Sequence, residues 1–396
     1  MVQETQDHPL SFNNTEIAFR GRSDNDLKRA YWLFKLLGSQ LLVKIGTPFT
    51  RFALRIGLPI SGLIRRTIYR HFCGGETISG CEAAIQSLAD QHTGTILDYS
   101  VEGEDSETDF DHTCEEILRT VAYAQAHTHI PFSVFKPSGL GPFSVLEKIN
   151  RRETLSTEEV LAYDRLKHRI DRICKACHDA GVSVLIDAEH SWIQQAIDDI
   201  AREMMQQYNK QTPIVYNTYQ LYRNDKLASL KADYYLAETA GFFLGAKLVR
   251  GAYMETERER AAELGYRVPI QPDKATTDRD YDNAVRFCLD HIDRLGMMAG
   301  THNEASSLLL ATEIDRRNLP RDHPHIYFAQ LLGMSDNLTF NLAEAGYRVA
   351  KYMPYGPVKA VMPYLFRRAA ENTAVVGQVG RELALITKEI KRRKHR

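Results

Sequence analysis

The segment YLFRRAAENTA (364–374) sets Arg367 and Arg368 side by side, with Glu371 one helical turn further on. Guanidinium groups bind carboxylates through parallel N–H donors, so a small carboxylate is the natural ligand of such a pair. Consecutive helical residues point about 100° apart, so the two arginines need not share a face, but at the mouth of a cavity both can reach one small anion. Glu371 stands at i+3 from Arg368 and i+4 from Arg367, within reach of either. A surface ion-pair cluster is the competing reading of an isolated RRxxE.

Other residues carry different chemistry. Asp187, Glu189 and His190 in DAEH, with His302 in THN (301–303), are of the types that bind a metal. Lys136 or Lys247 could form a Schiff base, as in an aldolase. Both chemistries stay open on residue type alone, and neither accounts for the arginine pair. Cys174-Lys-Ala-Cys177-His178 matches a haem-attachment pattern but lies inside a helical stretch, where coincidence is the simpler account. No GxGxxG follows a strand and opens a helix, so a dinucleotide-binding Rossmann unit has no support.

What must position these groups is an alternation that starts near residue 95. Short β-rich runs are expected at 95–102, 131–138, 182–190, 213–222, 243–253, 297–303, 326–334 and 349–356. Helical stretches such as TCEEILRTVAYAQAH and TEEVLAYDRLKHRIDRICKACHDAG lie between them. Eight β/α alternations predict an α/β fold, a closed TIM-like (β/α)8 barrel. Polar side chains gather towards the C-terminal ends of most of these runs: Glu102, Lys136, Asp187, Glu189, Gln220, Arg250, His302 and Tyr352. That end of a barrel carries its active site. One or two polar strand ends would mean little, but this many favours a site, and a bound flavin would have to be held there.

Residues 1–25 are polar and predict disorder, and residues 26–94 predict a helical arm. The arm's mixture of apolar residues, such as Trp32 and Phe34, with Lys and Arg fits a helix packed on the main domain or one lying on a membrane surface. The barrel is expected over 95–380, and 381–396 reads as a basic, solvated tail with at most a weak membrane contact. A length of 396 residues suits a barrel of roughly 250 with additions. The formal charge of −1 argues against a nucleic-acid binder. Six scattered cysteines and a polar N-terminus predict a cytosolic, reducing compartment. No uncharged run approaches the ~20 residues that span a bilayer, so any membrane contact would be peripheral.

Taken together, KLVRGAYMETER (247–258), THN (301–303), QLLGM (330–334), KYMPYGPV (351–358) and RRAAEN (367–372) resemble the proline dehydrogenase family, in the family's order and strand context. The similarity covers residues 95–380 and looks closest to the monofunctional, mitochondrial-type branch; no second, aldehyde dehydrogenase domain is expected. The resemblance implies a distorted barrel with its last helix over the mouth, non-covalent FAD, oxidation of L-proline to 1-pyrroline-5-carboxylate, a quinone as electron acceptor, and no metal. It implies that Arg367 and Arg368 grip the proline carboxylate with support from Lys136, and that Asp187 lies beside the substrate. Tyr352, Tyr253 and Leu331 are implied to line the ring, and Glu102 and Glu371 to act as gate residues.

The same resemblance sets Ala188, Gln220, Val249, Arg250, Gly251 and Ala252 against the flavin, and Thr301 and His302 against its adenosine half. Many bacterial members exchange arginine and lysine at the positions of Lys247 and Arg250, so a cation near the flavin edge is expected with altered geometry. Hydroxyproline-oxidising relatives carry a smaller residue at the position of Tyr352, which therefore predicts a preference for proline. Hydroxyproline oxidation is the nearest alternative activity, and a Schiff-base or metal-dependent barrel lyase or hydrolase is the more distant one.

Overall fold

The computed structural model describes residues 10–39, 60–101, 103, 105–374 and 378–395. Eight parallel strands close into a barrel in chain order: β1 (Gly94–Tyr99), β2 (Phe132–Phe135), β3 (Ser183–Ile186), β4 (Val215–Gln220), β5 (Leu244–Val249), β6 (Leu295–Gly300), β7 (Ile326–Leu331) and β8 (Val349–Tyr355). Each lies within or overlaps one of the eight runs expected from sequence. Most end sooner: β3 stops before Asp187–His190 and β5 before Arg250–Tyr253. A β-rich pattern continues past the last ladder hydrogen bond, because periodicity cannot register where the neighbouring strand stops.

The strands are almost wholly buried, β4 and β8 at every residue. Strands covered on both faces read as continuous apolar runs rather than as alternation, as parallel sheets do. Helices follow the strands, each with local signals of its own. Thr157–Ala180, for example, begins in a capping box: the Ser156 side chain accepts from the Glu159 N–H at 3.2 Å, and the Glu159 carboxylate accepts from the Ser156 N–H at 2.9 Å. Cys174 and Cys177 lie on this helix, buried and unbridged.

The chain divides into two compact units, Gly103–Ala329 and Met1–Glu102 with Gln330–Arg396. The first holds β2 to β6 and most of β7. Inside it, Phe132 meets Tyr327 and Tyr216 edge-on, with ring centres 4.8 and 5.5 Å apart. The second unit pairs β1 with β8, Ile96 opposite Tyr352, and adds helices from both ends of the chain.

Both ends differ from the sequence expectation. Residues 10–25 are structured. Asn14 caps the helix Thr15–Ala18, and Phe12 and Phe19 are buried. The basic C-terminal segment is helical over Gln378–Lys394. It packs on Asp24–Leu37 through Leu27, Phe34, Leu385 and Ile386. Two of its cations pair locally: Arg392 with Glu16 at 3.1 Å, Arg393 with Asp24 at 2.9 Å, and both with Glu389. Composition reads such a tail as solvated, but one buried glutamate at i−3 and i−4 makes a helix of it. On Asp24–Leu37, Trp32 and Leu36 face solvent. No helix among the described residues is long and apolar enough to cross a membrane. The apolar run at 40–59, part of the expected arm, lies outside the described residues.

Candidate active site

Within Gly103–Ala329 the polar strand ends form specific pairs. Lys247, in β5, donates through Nζ to Asp187 Oδ1 at 2.6 Å, just beyond β3. Lys247 is buried and Asp187 nearly so. A Schiff-base lysine must be free to attack a carbonyl, so this ion pair weighs against Lys247 in the aldolase reading. Glu189 is also engaged: its carboxylate accepts from the Ser138 N–H at 2.9 Å and from the Ser138 hydroxyl at 2.5 Å. Burial pushes the Glu189 carboxyl up, opposed by Ser138 and by the charge of Lys136. Among the described residues, no group of three His, Cys, Asp or Glu side chains is placed to hold a metal.

Gln220 closes β4. Its Nε2 donates to the Glu189 carbonyl at 3.1 Å, while its Oε1 is buried with no partner among the described residues. Leaving such an acceptor unpaired costs about 1–3 kcal/mol, so a ligand N–H is the expected complement. The isoalloxazine ring of FAD presents such a donor, and the residues here fit it in that respect.

Arg250 turns out to be a structural anchor. Its Nε donates to Asp278 at 2.8 Å, Nη1 to the Thr301 hydroxyl at 2.7 Å and Nη2 to the Ser306 hydroxyl at 3.0 Å, with the Tyr281 ring beneath it at 4.4 Å. It thereby ties the end of β5 to the loop after β6, which carries Thr301 and His302. Next to it, Gly251 has φ +139, and a Cβ there would lie 2.3 Å from the Tyr222 ring, so only glycine fits. Val249 and His302 are partly buried, as is Ala188, and Ala252 is exposed.

Tyr253 packs against the His190 ring at 4.2 Å, and His190 stacks on Trp192 at 4.3 Å. Below them Glu257, fully buried, accepts from the Ser191 N–H and hydroxyl, each at 2.6 Å. Sequence reasoning missed the His190–Trp192 stack and the Glu257 and Ser138 contacts. Spacing carried no signal for the Glu257 and Ser138 contacts, since each joins different β/α units.

In the second unit, helix Met362–Ala374 carries the arginine pair. Arg368 is buried with its guanidinium 5.2 Å from the centre of the Tyr364 ring, and Arg367 is partly buried. Tyr352 is buried in β8. Leu331, at the end of β7, packs on a cluster that includes Phe72, Met334, Tyr364 and Leu365. Glu102 lies outside the described residues, and Glu371 is described only as a position in its helix.

The adjacent β8 residue, Lys351, is completely inaccessible to solvent. Its Nζ donates to the Met334 carbonyl at 2.5 Å and the Leu331 carbonyl at 3.2 Å, and pairs with Asp336 at 3.0 Å. Asp336 also accepts from Arg22, through Nη2 at 3.0 Å and Nε at 3.3 Å. Burial opposes ionisation of Asp336, but Lys351 and Arg22 together hold its carboxyl far below the usual range. Burial pulls Lys351 down, against the attraction of Asp336. His71 Nε2 lies 2.8 Å from the Gly333 carbonyl, and burial pulls that ring down to about 4. A lysine inside the apolar run VAKYMPY is the sequence signal for this cluster.

A family model described as proline dehydrogenase matches residues 81–381. Proline dehydrogenase 1, mitochondrial, of Dictyostelium discoideum is 33% identical over 426 aligned positions, covering 96% of this chain and 74% of that protein. The human protein of the same name is 40% identical over 240 positions, covering 60% of this chain and 40% of its own length. Among solved structures, proline utilization A from Bdellovibrio bacteriovorus, inactivated by N-propargylglycine, superposes with a TM-score of 0.72 at 18% identity. That match covers 92% of this chain and 38% of the bacterial one, and at this identity it speaks for the barrel alone.

The names of these relatives overturn the expectation of a cytosolic protein, since they are mitochondrial. Free, buried thiols distinguish reducing from oxidising surroundings, but they do not separate one reducing compartment from another. With the family model spanning most of the barrel and a relative 33% identical along nearly the whole chain, this protein belongs to the proline dehydrogenase family.

Proposed function

We propose that this protein oxidises L-proline to 1-pyrroline-5-carboxylate, with FAD bound non-covalently and a quinone as electron acceptor. The family match across residues 81–381 carries the reading. When bound, FAD would supply the redox chemistry, as the acceptor at N5 of the hydride from proline C5, with a quinone as the final electron acceptor. The chain's own work is to bind, orient and exclude water. We assign this catalytic domain to residues 95–380, with 26–94 as its arm.

Arg367 and Arg368 take the substrate carboxylate as charge-assisted bonds, and Lys136 adds positive charge for it. Tyr352, Leu331 and Tyr253 pack on the ring, so that both ends of a small molecule are fixed and its C5 edge has one orientation. Asp187 is held in place by Lys247 and lies beside the substrate amine. Lys247 supplies a cation that stabilises negative charge on the reduced cofactor. Gln220 offers its unpaired oxygen to the flavin, together with Ala188 and the segment Val249–Ala252. In that segment Arg250 acts indirectly, by fixing the loop that presents Thr301 and His302 to the adenosine half. Glu102 and Glu371 serve as gate residues around the arginines.

The test is the visible spectrum of the purified protein. FAD should be released on denaturation, and proline added without oxygen or quinone should bleach the bound chromophore. A colourless protein that cannot be reconstituted with FAD refutes the proposal.

A further inference from the structure

The loop from Leu331 to Asp336 is held at several of its backbone polar groups, and some of the holders come from distant parts of the chain. Leu332 N–H donates to the Tyr352 carbonyl at 2.8 Å, and Ser335 N–H to the Glu382 carboxylate at 2.6 Å. The carbonyls of Leu331 and Met334 accept from Lys351, and that of Gly333 meets His71. Arg22 grips the carboxylate of Asp336, where the loop becomes the helix Asp336–Glu344. Two residues of the loop are left-handed. Gly333 has φ +78, and a Cβ there would lie 2.3 Å from the His71 carbonyl oxygen. Ser335, at φ +52, has a side chain and is strained. Strain of this kind persists only where the surroundings over-determine the backbone, and it concentrates where a conformation matters for function. Arg22, His71 and Glu382 all lie outside residues 81–381, the stretch matched by the family.

We propose that Arg22, His71 and Lys351 are positioning residues: they fix the loop Leu331–Asp336 and so set where the Leu331 side chain stands against the substrate ring. The inference rests on the proposed reading of Leu331 as a wall of the proline pocket. It adds that the wall is set in part by Arg22 and His71, from the N-terminal part of the chain, which contribute to substrate recognition without touching substrate. Lys351 and Tyr352, as neighbours in a strand, point to opposite faces. β8 therefore offers one face to the ring and uses the other to hold the loop that carries Leu331.

The experiment compares Arg22→Gln, Arg22→Lys, His71→Phe and Leu331→Val in the FAD-loaded full chain. Each is assayed per bound flavin with L-proline and with its six-membered-ring homologue, piperidine-2-carboxylate. Arg22→Gln should raise KM for proline about five- to tenfold, as expected for loss of one charge-assisted anchor, with kcat changed less than twofold. It should also shift the preference between the two ring sizes in the same direction as Leu331→Val. Arg22→Lys, which keeps the charge, should recover much of the loss. His71→Phe keeps a ring without the Gly333 contact and provides the readout if Arg22→Gln fails to fold.

A merely structural role would lower the folded fraction while leaving KM and the ring-size ratio per flavin unchanged. If Leu331→Val moves both quantities and neither Arg22→Gln nor His71→Phe does, the positioning inference is wrong and the pocket reading stands. If Leu331→Val moves neither, the assignment of Leu331 to the pocket is wrong, and this inference goes with it.

Discussion

Replacing Lys351 by methionine would remove an ammonium that solvent does not reach. Asp336 would keep Arg22 at 3.0 Å, so the carboxylate would not be left alone. Breaking a buried ion pair costs 3–5 kcal/mol, and the surviving partner puts this case near the lower end, about 3 kcal/mol. The Leu331 carbonyl would keep the Met334 N–H at 3.2 Å, whereas the Met334 carbonyl would lose a donor at 2.5 Å. That adds about 1 kcal/mol, for a total near 4 kcal/mol. Methionine fills much of the same volume, so cavity formation contributes little. Adding Asp336→Leu should remove the excess negative charge that Lys351→Met leaves in the cluster, and the Arg22 side chain, one-third exposed, can turn to water. The double variant should therefore be at least about 2 kcal/mol more stable than the summed single losses imply. Urea unfolding of the FAD-loaded protein at neutral pH, followed by far-ultraviolet circular dichroism, measures all four corners of the cycle. A Lys351→Met cost below about 1 kcal/mol, or strictly additive losses, would refute the view that these charges act as one unit.

Three other outcomes are expected. His71 titrates in the unfolded chain near its ordinary value but in the folded protein only at about 4, so between these pH values the unfolded state binds the extra proton. Stability from this ring is full above about pH 6.5 and falls by up to about 3 kcal/mol towards pH 4; His71→Phe should flatten that part of the stability profile, and an unchanged profile would exclude the ring as its source. Arg367→Met or Arg368→Met should weaken proline binding by about 1.5–3 kcal/mol, ten- to a hundredfold, with FAD occupancy retained; normal kinetics in either would make that arginine structural. Tyr352→Ser should narrow the preference for proline over trans-4-hydroxyproline in kcat/KM, and an unchanged ratio would remove Tyr352 from the specificity argument.

The barrel was legible because eight β-rich runs separated by helices leave few alternatives once parallel pairing is assumed. The strand-end residues were legible for the same reason, since a barrel puts them on one face. What could not be read was partnership. Asp187 and Lys247 stand 60 residues apart and Arg22 and Asp336 stand 314 apart, and nothing in local spacing joins them. Arg250 shows the consequence. The family resemblance set it against the flavin, and local spacing gave no hint that Asp278, Thr301 and Ser306 would also accept from its guanidinium. The polar N-terminus misled for a related reason. Two phenylalanines among mostly polar residues look too few to order a segment, yet Phe12 and Phe19 are buried and Arg22 has a buried carboxylate to meet.

The cluster around Asp336 also explains why its histidine stays neutral. Arg22 and Lys351 bring two formal positive charges, and Asp336 and Glu382 bring two negative ones, so the buried set is balanced before His71 is counted. A proton on His71 would add an unmatched charge beside Arg22 and Lys351, and both of them disfavour it, together with burial. The neutral ring needs one N–H for the Gly333 carbonyl and nothing more. The same arithmetic makes Arg22 indispensable to the balance. Without it, Asp336 and Glu382 outnumber Lys351, and protonated His71 becomes the nearest replacement cation. An Arg22→Gln protein should therefore show the His71 titration moved upward, a change that nuclear magnetic resonance of the ring protons would register directly; an unmoved titration would refute the charge-balance account.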